Sequence, residues 1–329
     1  MNGTQEYTEK NNSLIQTLLK KNMDKPYLVG FSHHLKLNRS EQTTYNYLKH
    51  VVNFMDSCKK QLSEIGYDDY IIYENQFIDM TPSYRIVKHS ALKAFSEYLY
   101  LTKQNPYFAM ENSKAPKATE KIETKEKREN NYLTPEEALR YIKTVEAGVG
   151  TKKAISRQKL WRNRDIAIVM ILLNTGMRCS ALYKLDVSDI DFETKRFSIK
   201  EKGKNRTYIL NDVTLEAIEA WLVDRHTLLD GEIEDALFIS NQKTRMSIRA
   251  ISMVTEKYGK YIKDIHLTPH KLRATFGTNL YAMTGDIRAV KDAMGHSSIH
   301  TTEIYIRGQE EKSRQLAADK MQQMYEVMV

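Results

Sequence analysis

The sequence contains few of the residues that mark cross-linked or low-complexity proteins. Its 329 residues include 2 cysteines, 13 glycines and 6 prolines. Cys58 and Cys179 are far apart and match no metal-ligand spacing, so we expect reduced thiols in a reducing compartment. The low glycine and proline content excludes collagen-like and low-complexity chains. Any disorder is therefore expected to be local.

Long apolar runs are also missing. The longest one extends from Ile166 to Leu173, far short of the roughly 20 residues that a membrane-spanning helix requires. The N-terminal residues have neither a basic start followed by an apolar stretch nor a small-residue cleavage site, so no secretory signal is visible. The sequence therefore predicts a cytoplasmic protein without membrane contact.

Positive charge is present in excess. There are 50 Lys and Arg residues against 42 Asp and Glu residues, a formal net charge of +8. This balance favours a polyanionic partner such as nucleic acid, although ribosomal and membrane-surface proteins share it. At roughly 150 residues per domain, the length predicts two domains. A hydrophobic content of 41% is enough to bury a core in each of them.

A densely charged segment divides the chain. Residues 111–131 contain Ile122 as their single large apolar residue, so they are predicted to be an interdomain linker. The domain before this linker is expected to be helical. The predicted organisation is an N-terminal extension at 1–24, a helical domain at 25–110, the linker, a second domain at 132–309 and a C-terminal helix at 310–329.

Hydrophobic periodicity predicts helices at 41–59 and 84–101 in the first domain. In the second domain, Thr134, Pro135 and Glu137 together predict a capped helix start. Short alternating runs indicate a small sheet, so the predicted fold class is mainly α with a small β-sheet. The further helices are predicted at 135–146, 163–174, 213–224, 247–263, 270–283, 286–294 and 299–306. The short runs lie at 187–191, 197–201 and 207–210, the last two flanking a glycine-containing turn suited to a hairpin.

Basic residues stand at predicted element boundaries, where side chains can converge on a ligand. Arg178 closely follows Gly176 after a buried apolar helix. It is either a surface or ion-paired arginine or a guanidinium fork for a phosphate. His270 and Arg273 share a face of a helix that Thr268 can cap. A helix N-terminus favours a bound anion, although an ordinary capped helix explains the same pattern.

Further candidates have ordinary explanations when each is taken alone. Lys202 and Lys204, in the predicted hairpin turn, are typical of solvated lysines. His296 comes directly after Gly295, at which a helix is predicted to stop. Tyr305 is one of 20 tyrosines, and most tyrosines in a protein pack in its core. The neighbouring residues must therefore decide the role of Tyr305.

Metal and nucleotide binding have weak support in the sequence. His266 and His270 are four residues apart, as are His296 and His300. Proline interrupts the first pair, and no glutamate follows His266 as a zinc-protease motif requires. The glycine-rich segment 148–152 lacks the Walker spacing. No metal or cofactor is therefore predicted.

Taken together, these residues resemble the ordered active-site set of the tyrosine recombinase, or phage integrase, family. Residues 175–178 resemble its TG-apolar-R block, Lys202 occupies its hairpin lysine position, and residues 270–273 match its HxxR box. Residues 294–305 resemble its LGHSxxxxTxxxY block. The close resemblance extends from about residue 133 to residue 307, whereas the first domain fits the family's core-site DNA-binding domain only by position, size and class.

The resemblance implies a two-domain recombinase that acts on double-stranded DNA with specific core sites. Tyr305 would be the nucleophile, His270 the base or a polarising partner, and Lys202 the acid. It also implies a homotetramer on two duplexes, a Holliday-junction intermediate and no cofactor. The movement of a mobile element is the favoured role, but phage integration, conjugative transposition, inversion and chromosome-dimer resolution all stay open, and the sequence does not identify accessory DNA-bending proteins. The implied catalytic residues are Arg178, Lys202, His270, Arg273, His296 and Tyr305.

One departure from the family pattern concerns Ala181, which stands where family members often have glutamate. It leaves open which groups bond to Arg178. A second open point is the C-terminal apolar stripe, which could dock into a neighbouring subunit or pack on its own domain. The stripe consists of Leu316, Ala317, Met321, Met324 and Met328.

Two other functions stay open at this point. A type IB topoisomerase would share the tyrosine, both arginines and the lysine, although it usually has lysine at the position of His270. A catalytically silent DNA-binding regulator would keep the basic surface without needing all six residues.

Overall fold

The computed structural model describes residues 3–116, 132–201, 204–262 and 266–296, together with residues 298, 299, 302, 318 and 322. Residues 5–122 form one compact unit, and residues 123–329 belong to a second. The described residues are mainly helical, with one three-stranded sheet in the second unit. The predicted fold class is confirmed. No helix among the described residues is both long and apolar enough to span a membrane.

The described part of the first unit contains five α-helices. The helices predicted at 41–59 and 84–101 are confirmed as α3 and α5, whose first turns are capped by the side chains of Ser40 and Thr81. The periodicity did not predict α2 and α4. The bounds are α1 (Gly3–Lys21), α2 (Tyr27–Lys36), α3 (Glu41–Cys58), α4 (Tyr67–Asn75) and α5 (Pro82–Leu101).

Aromatic side chains dominate the core of this unit. Phe54 stacks on Tyr70 with ring centroids 4.7 Å apart, and Phe31 meets Phe95 edge-on at 5.2 Å. Ile15 on α1 is fully buried in the same cluster. The segment 1–24, predicted as an extension, thus contributes a packed helix to the core of the first unit.

The second unit contains eight described helices and three strands. The predicted capping box is confirmed at the start of α6, where Thr134 Oγ1 accepts from the Glu137 amide and Glu137 Oε2 accepts from the Thr134 amide. The helices are α6 (Pro135–Ala147), α7 (Lys152–Lys159), α8 (Arg162–Thr175), α9 (Cys179–Lys184), α10 (Asp212–Leu229), α11 (Ile248–Gly259), α12 (Pro269–Thr284) and α13 (Ile287–Met294). The strands are β1 (Ile190–Asp191), β2 (Arg196–Glu201) and β3 (Lys204–Ile209).

Helix α8 is the central element of the second unit and packs against α6, α10 and α12. Its side chains are buried almost all round, as expected for a helix without a polar face. Asp165 near its start is itself buried and accepts hydrogen bonds from Arg164, Lys257 and the Tyr258 hydroxyl. This network fixes α8, and therefore the chain that follows it, relative to α11.

The sheet is antiparallel in the order β1, β2, β3. The strand predicted at 187–191 was wrong over 187–189, which form a 3-10 turn because the Asp189 carboxylate accepts from the Asp186 amide. Strand β3 begins at Lys204 rather than at 207 and pairs Tyr208 with Phe197. Both strands of the hairpin are therefore longer than predicted.

Helix lengths differ from the predictions at two further places. Helix α10 continues to Leu229 instead of 224, because Arg225 extends its buried face by donating to the Ala236 carbonyl at 3.0 Å. Helix α11 ends at Gly259 rather than at 263. A side chain at Gly259 would overlap Leu267, so the returning chain lies against the helix at this point. Several predictions lie outside the described residues: residues 117–131 of the linker, Lys202, most of the helix at 299–306, and the C-terminal stripe.

Candidate active site

Arg178 is positioned by the turn that ends α8. Gly176 has a φ of +59° and closes the helix in the left-handed conformation, to which glycine is suited. A side chain at Gly176 would overlap the ring of Phe276, so the close packing of α12 also requires glycine here. The chain then turns into α9, and Arg178 is the N-cap residue of that helix.

The guanidinium of Arg178 is held by a carboxylate from the sheet. Its Nη1 donates to Glu201 Oε2 at 2.6 Å. The Tyr208 hydroxyl donates to the other oxygen, Oε1, of the same carboxylate. Burial and the carboxylate of Glu201 raise the pKa of Tyr208, which stays a protonated donor. The sequence motifs did not predict a role for Glu201 or Tyr208.

Arg273 lies in the interior of the site. It is on α12, which Thr268 caps and Pro269 begins, as predicted. Arg273 as a whole is 3% exposed, and its guanidinium donates to the carbonyls of Gly176 and Met294, the latter at 2.6 Å. These bonds join the end of α8 to the end of α13.

His296 directly follows α13, which ends at Gly295 as predicted. Arg273 Nη2 lies 3.0 Å from His296 Nε2, and His296 Nδ1 lies 2.9 Å from Thr302 Oγ1. Because a guanidinium can only donate, Nε2 is the acceptor and Nδ1 carries the proton of the neutral ring. Burial, followed by the charge of Arg273 and other nearby cations, lowers the pKa of His296 to about 4.

His270 lies in the first turn of α12, on the exposed side of the site. Partial burial of the ring lowers its pKa, and the positive charges of Arg273 and Arg178 lower it further. A neutral imidazole at this position can accept a proton, which is what a base requires.

Arg206 on β3 is a further residue of the site that sequence reasoning missed. Its guanidinium donates to the carbonyls of Asp292, Ala293 and Met294, the last residues of α13. A cation at a helix C-terminus satisfies carbonyls that have no partner within the helix. A side chain at Gly295 would overlap this guanidinium. In the sequence, Arg206 directly precedes the alternating run predicted at 207–210, and its charge alone did not identify its partner.

The structure brings four of the predicted catalytic residues to one site. Arg178, His270 and Arg273 are all close enough to His296 to lower its pKa. Lys202 and Tyr305 lie outside the described residues. Across the described ranges there is no group of three or more His, Cys, Asp or Glu side chains arranged to hold a metal ion. The assembled groups are cations and hydrogen-bond donors suited to an anionic phosphate.

A family model agrees with this geometry. Residues 131–312 match the model described as the phage integrase family. These residues include all six predicted catalytic positions and more than half of the chain. The chain therefore belongs to the phage integrase family, also called the tyrosine recombinases.

The chain is also similar to curated tyrosine recombinases. The chain is 28% identical over 297 residues to the tyrosine recombinase XerC of Thermodesulfovibrio yellowstonii, a match that covers 85% of this chain and 90% of the relative. It is 36% identical over 144 residues to XerC of Actinobacillus pleuropneumoniae serotype 7, covering 43% of this chain. That second match spans about half of the length of the relative, 46%.

Solved structures share the fold. The XerH site-specific recombinase bound to difH substrate in a pre-cleavage complex has a TM-score of 0.63 at 20% identity, covering 83% of this chain and 81% of that one. A lambda integrase dimer bound to a COC′ core site has a TM-score of 0.59 at 17% identity, covering 85% and 94%. The Tn1549 transposon integrase in complex with transposon right-end DNA has a TM-score of 0.57 at 18% identity, covering 87% and 98%.

Proposed function

We propose that this protein is a site-specific DNA recombinase that cleaves and rejoins DNA through a 3′-phosphotyrosyl intermediate on Tyr305. The observation that carries the proposal is the convergence of Arg178, Arg273 and His296, with Arg273 and His296 in direct contact at 3.0 Å. Two guanidinium groups beside an imidazole form a site for a single phosphate group. Membership of the phage integrase family supports the assignment of this phosphate to a DNA backbone.

The first half of the reaction forms one bond and breaks another. The Tyr305 oxygen attacks phosphorus, a Tyr–O–P bond forms, and the bond from phosphorus to the 5′ oxygen breaks. The transition state carries added negative charge on the non-bridging oxygens, which Arg178, Arg273 and His296 stabilise. Loss of one such donor commonly costs about 3 kcal/mol, roughly a hundredfold in rate.

Proton transfers accompany both bond changes. A phenol has a pKa near 10 and becomes strongly nucleophilic when a base accepts its proton. His270 takes this role, because its lowered pKa keeps the ring neutral at pH 7. Lys202 donates a proton to the leaving 5′ oxygen. In the reverse step, a 5′ hydroxyl from another duplex attacks the phosphotyrosyl bond and releases Tyr305, so exchange requires no external energy source.

The biological assembly follows from the same proposal. Four protomers act on two duplexes carrying core sites, assisted by accessory DNA-bending proteins, and the exchange passes through a Holliday junction. The event is the integration or excision of a mobile element and takes place in the cytoplasm. The likeness to a transposon integrase in complex with transposon DNA favours this role. The helical first unit binds the core site next to the cleavage position, and the C-terminal stripe docks between subunits.

Two other functions are distinguishable from this one. A type IB topoisomerase would relax supercoiled DNA as a monomer without joining new partners, and His270 argues against that class. A silent DNA-binding regulator would bind the same sites without any covalent product. The buried bonds of Arg273 and His296 favour an intact catalytic site over a regulator.

Covalent trapping tests the proposal. The full chain is incubated with fragmented DNA from the cell that encodes it, the complexes are denatured, and the DNA that stays attached to protein is sequenced. We expect attachment at a small set of sites through Tyr305, and recombinant products when two such sites are present. Tyr305→Phe should abolish attachment while leaving site binding largely unchanged, since it removes a single oxygen. Attachment that persists in this variant would falsify the nucleophile assignment.

A further inference from the structure

We propose that Glu201 is a positioning residue that fixes the guanidinium of Arg178 from strand β2, with Tyr208 fixing Glu201 in turn. This inference rests on the proposed function, because Arg178 matters there as a ligand of the scissile phosphate. The inference is argued from the positions of Glu201 and Tyr208 in the β2–β3 hairpin.

Glu201 lies on the buried face of its strand. Along β2, Phe197 and Ile199 alternate with exposed residues, and Glu201 continues their face with a side chain that is 8% exposed. An ionised carboxylate at such a position is destabilising unless charged or hydrogen-bonding groups surround it. Burying the Glu201 carboxylate is therefore unfavourable in itself, and the groups bonded to it explain why it is present.

Both oxygens of the carboxylate are occupied. Oε2 accepts from Arg178 at 2.6 Å, and Oε1 accepts from the Tyr208 hydroxyl. Lys184 at the end of α9 is a second nearby cation: burial lowers its pKa, and the charge of Glu201 opposes that shift. Glu201 is thus bonded to the start of α9 and close to its last turn, which ties the helix that carries Arg178 to the sheet.

Tyr208 gives this carboxylate a rigid support. Its ring stacks on Phe197 with centroids 5.1 Å apart, and the Arg206 guanidinium lies 4.9 Å from the ring centroid. Arg206 is itself bonded to the end of α13. A continuous set of contacts therefore links the helix before His296 to Arg178 through the hairpin. This set is what fixes the distance between the two sides of the phosphate site.

The bond to Glu201 is compatible with a bound phosphate. A guanidinium has five N–H donors, and Glu201 takes one of them. The Arg178 side chain is 29% exposed, so part of it faces outward. Ala181, one turn along α9, has no acceptor that could orient Arg178 from its own helix. The structure thus answers the question that Ala181 raised in the sequence, since the carboxylate comes from β2.

A placeholder role for Glu201 is the alternative, in which the carboxylate occupies Arg178 until DNA displaces it. Displacement would leave the buried Tyr208 hydroxyl without its acceptor, which is unfavourable. The two roles predict opposite effects. A positioning residue speeds cleavage, whereas a placeholder slows it.

The experiment measures the single-turnover rate of covalent attachment to a nicked duplex carrying a mapped cleavage site. Two substrates are compared, one with the natural phosphate and one with a neutral methylphosphonate at the scissile position. Glu201→Gln removes the charge that orients Arg178, and we expect cleavage of the natural substrate to slow by about ten- to a hundredfold, as a small misplacement of a catalytic group does. Tyr208→Phe should slow it by about fivefold, in proportion to one hydrogen bond.

The methylphosphonate substrate distinguishes a loss of Arg178 orientation from a general disruption of the structure. Its transition state carries less negative charge, so Arg178 contributes less to stabilising it. Arg178→Ala and Glu201→Gln should therefore both slow cleavage of the methylphosphonate substrate less than cleavage of the natural one. The matched control is Ser198→Ala, which removes a 2.8 Å cross-strand bond to Thr207 on the exposed face of the same hairpin. This control should cleave both substrates like the wild type. Adding Tyr208→Phe to Glu201→Gln should cause no further loss.

Each other outcome overturns the inference. A Glu201→Gln variant that cleaves as fast as the wild type, or faster, contradicts positioning and in the second case favours the placeholder. If Glu201→Gln and Tyr208→Phe each slow cleavage of both substrates equally, the role of Glu201 is purely structural. Failure of the wild-type chain itself to form any covalent complex refutes the proposed function, and the inference with it.

Discussion

His296 lies among positive charges that decide its protonation state. Burial lowers its pKa to about 4, helped by the charges of Arg273, Arg178 and Arg206. The ring is therefore neutral at pH 7, with Nε2 accepting from Arg273. A bound phosphate brings negative charge that favours the protonated ring. In the proposed function, the scissile phosphate therefore acts against the shift that burial and the neighbouring cations cause in this pKa.

The lowered pKa predicts acid sensitivity of the DNA-free protein. The unfolded chain binds a proton near pH 6.5 and the folded His296 near pH 4, so the unfolded state holds more protons between these values. The stability that His296 contributes is therefore fully present above about pH 6.5 and is lost as the pH falls towards 4. In His296→Gln, the drop in thermal midpoint between pH 7.5 and pH 5 should be smaller than in the wild type.

The control for this prediction is His33→Gln, which changes an exposed histidine on α2. It should leave the pH dependence unchanged. Some dependence should survive in His296→Gln, because the lowered pKa of His270 acts in the same direction. Identical pH dependence in the wild type and His296→Gln would contradict the assignment of a buried neutral imidazole.

At the scale of elements, the β2–β3 hairpin connects the separate parts of the site. Its two strands contribute Glu201 to Arg178 and Arg206 to the end of α13. Helix ends supply the other groups, since Arg178 precedes α9, Arg273 lies near the start of α12 and His296 follows α13. The site is therefore sensitive to the way in which the hairpin packs on these helices.

Removing the contact between the β2–β3 hairpin and α13 should lower the stability of the second unit and slow covalent attachment. Arg206→Ala leaves the Asp292 and Ala293 carbonyls of α13 without their charged donor, while Arg273 still donates to the Met294 carbonyl. We expect the free energy of unfolding to fall by about 2 kcal/mol. Covalent attachment should slow by about ten- to a hundredfold, because His296 directly follows the released helix end. Arg206→Lys should recover part of each loss, since a lysine keeps the charge but not the planar fork. Urea unfolding and the trapping assay measure the two effects.

Arg196→Ala is the matched control for Arg206→Ala. Arg196 lies at the opposite end of the hairpin, is exposed, and has a weak 3.4 Å bond to the Thr194 carbonyl. Its loss should change neither stability nor attachment appreciably. Equal effects of the two variants would show that the hairpin responds to any lost charge rather than to the contact with α13.

These elements also show what the sequence can and cannot predict. The capping residues Thr134 and Thr268 and the stop at Gly295 act locally, so the helix ends that position Arg273 and His296 were predictable. The Arg178 side chain that Glu201 accepts from and the α13 carbonyls that Arg206 donates to are more than 20 residues away along the chain, and local periodicity contains no information on such pairs. Helix α2 was not predicted from the sequence, because Gly30 interrupts its pattern of apolar residues. That glycine allows Tyr98 to approach the helix closely.

At the scale of the whole molecule, the excess of cations is the property that matters for DNA. The formal net charge of +8 belongs to a chain with two compact units. Each Lys or Arg that neutralises a backbone phosphate releases counterions, so affinity depends on salt. In the proposed function both units contact the duplex. Binding by the full chain should then have a much steeper salt dependence than the contacts of one catalytic site alone would produce.

Salt titration of DNA binding tests this expectation. With the Tyr305→Phe chain, which cannot become covalently attached, the logarithm of affinity for a duplex carrying a mapped site should fall linearly with the logarithm of salt concentration. Adding Arg178→Ala should reduce the slope by about one, because one phosphate contact is lost. Lys243→Gln should not change the slope, since Glu232 already neutralises this lysine at 2.7 Å. A slope that stays near zero, or one that Lys243→Gln reduces as much as Arg178→Ala does, would contradict phosphate binding at the arginine site.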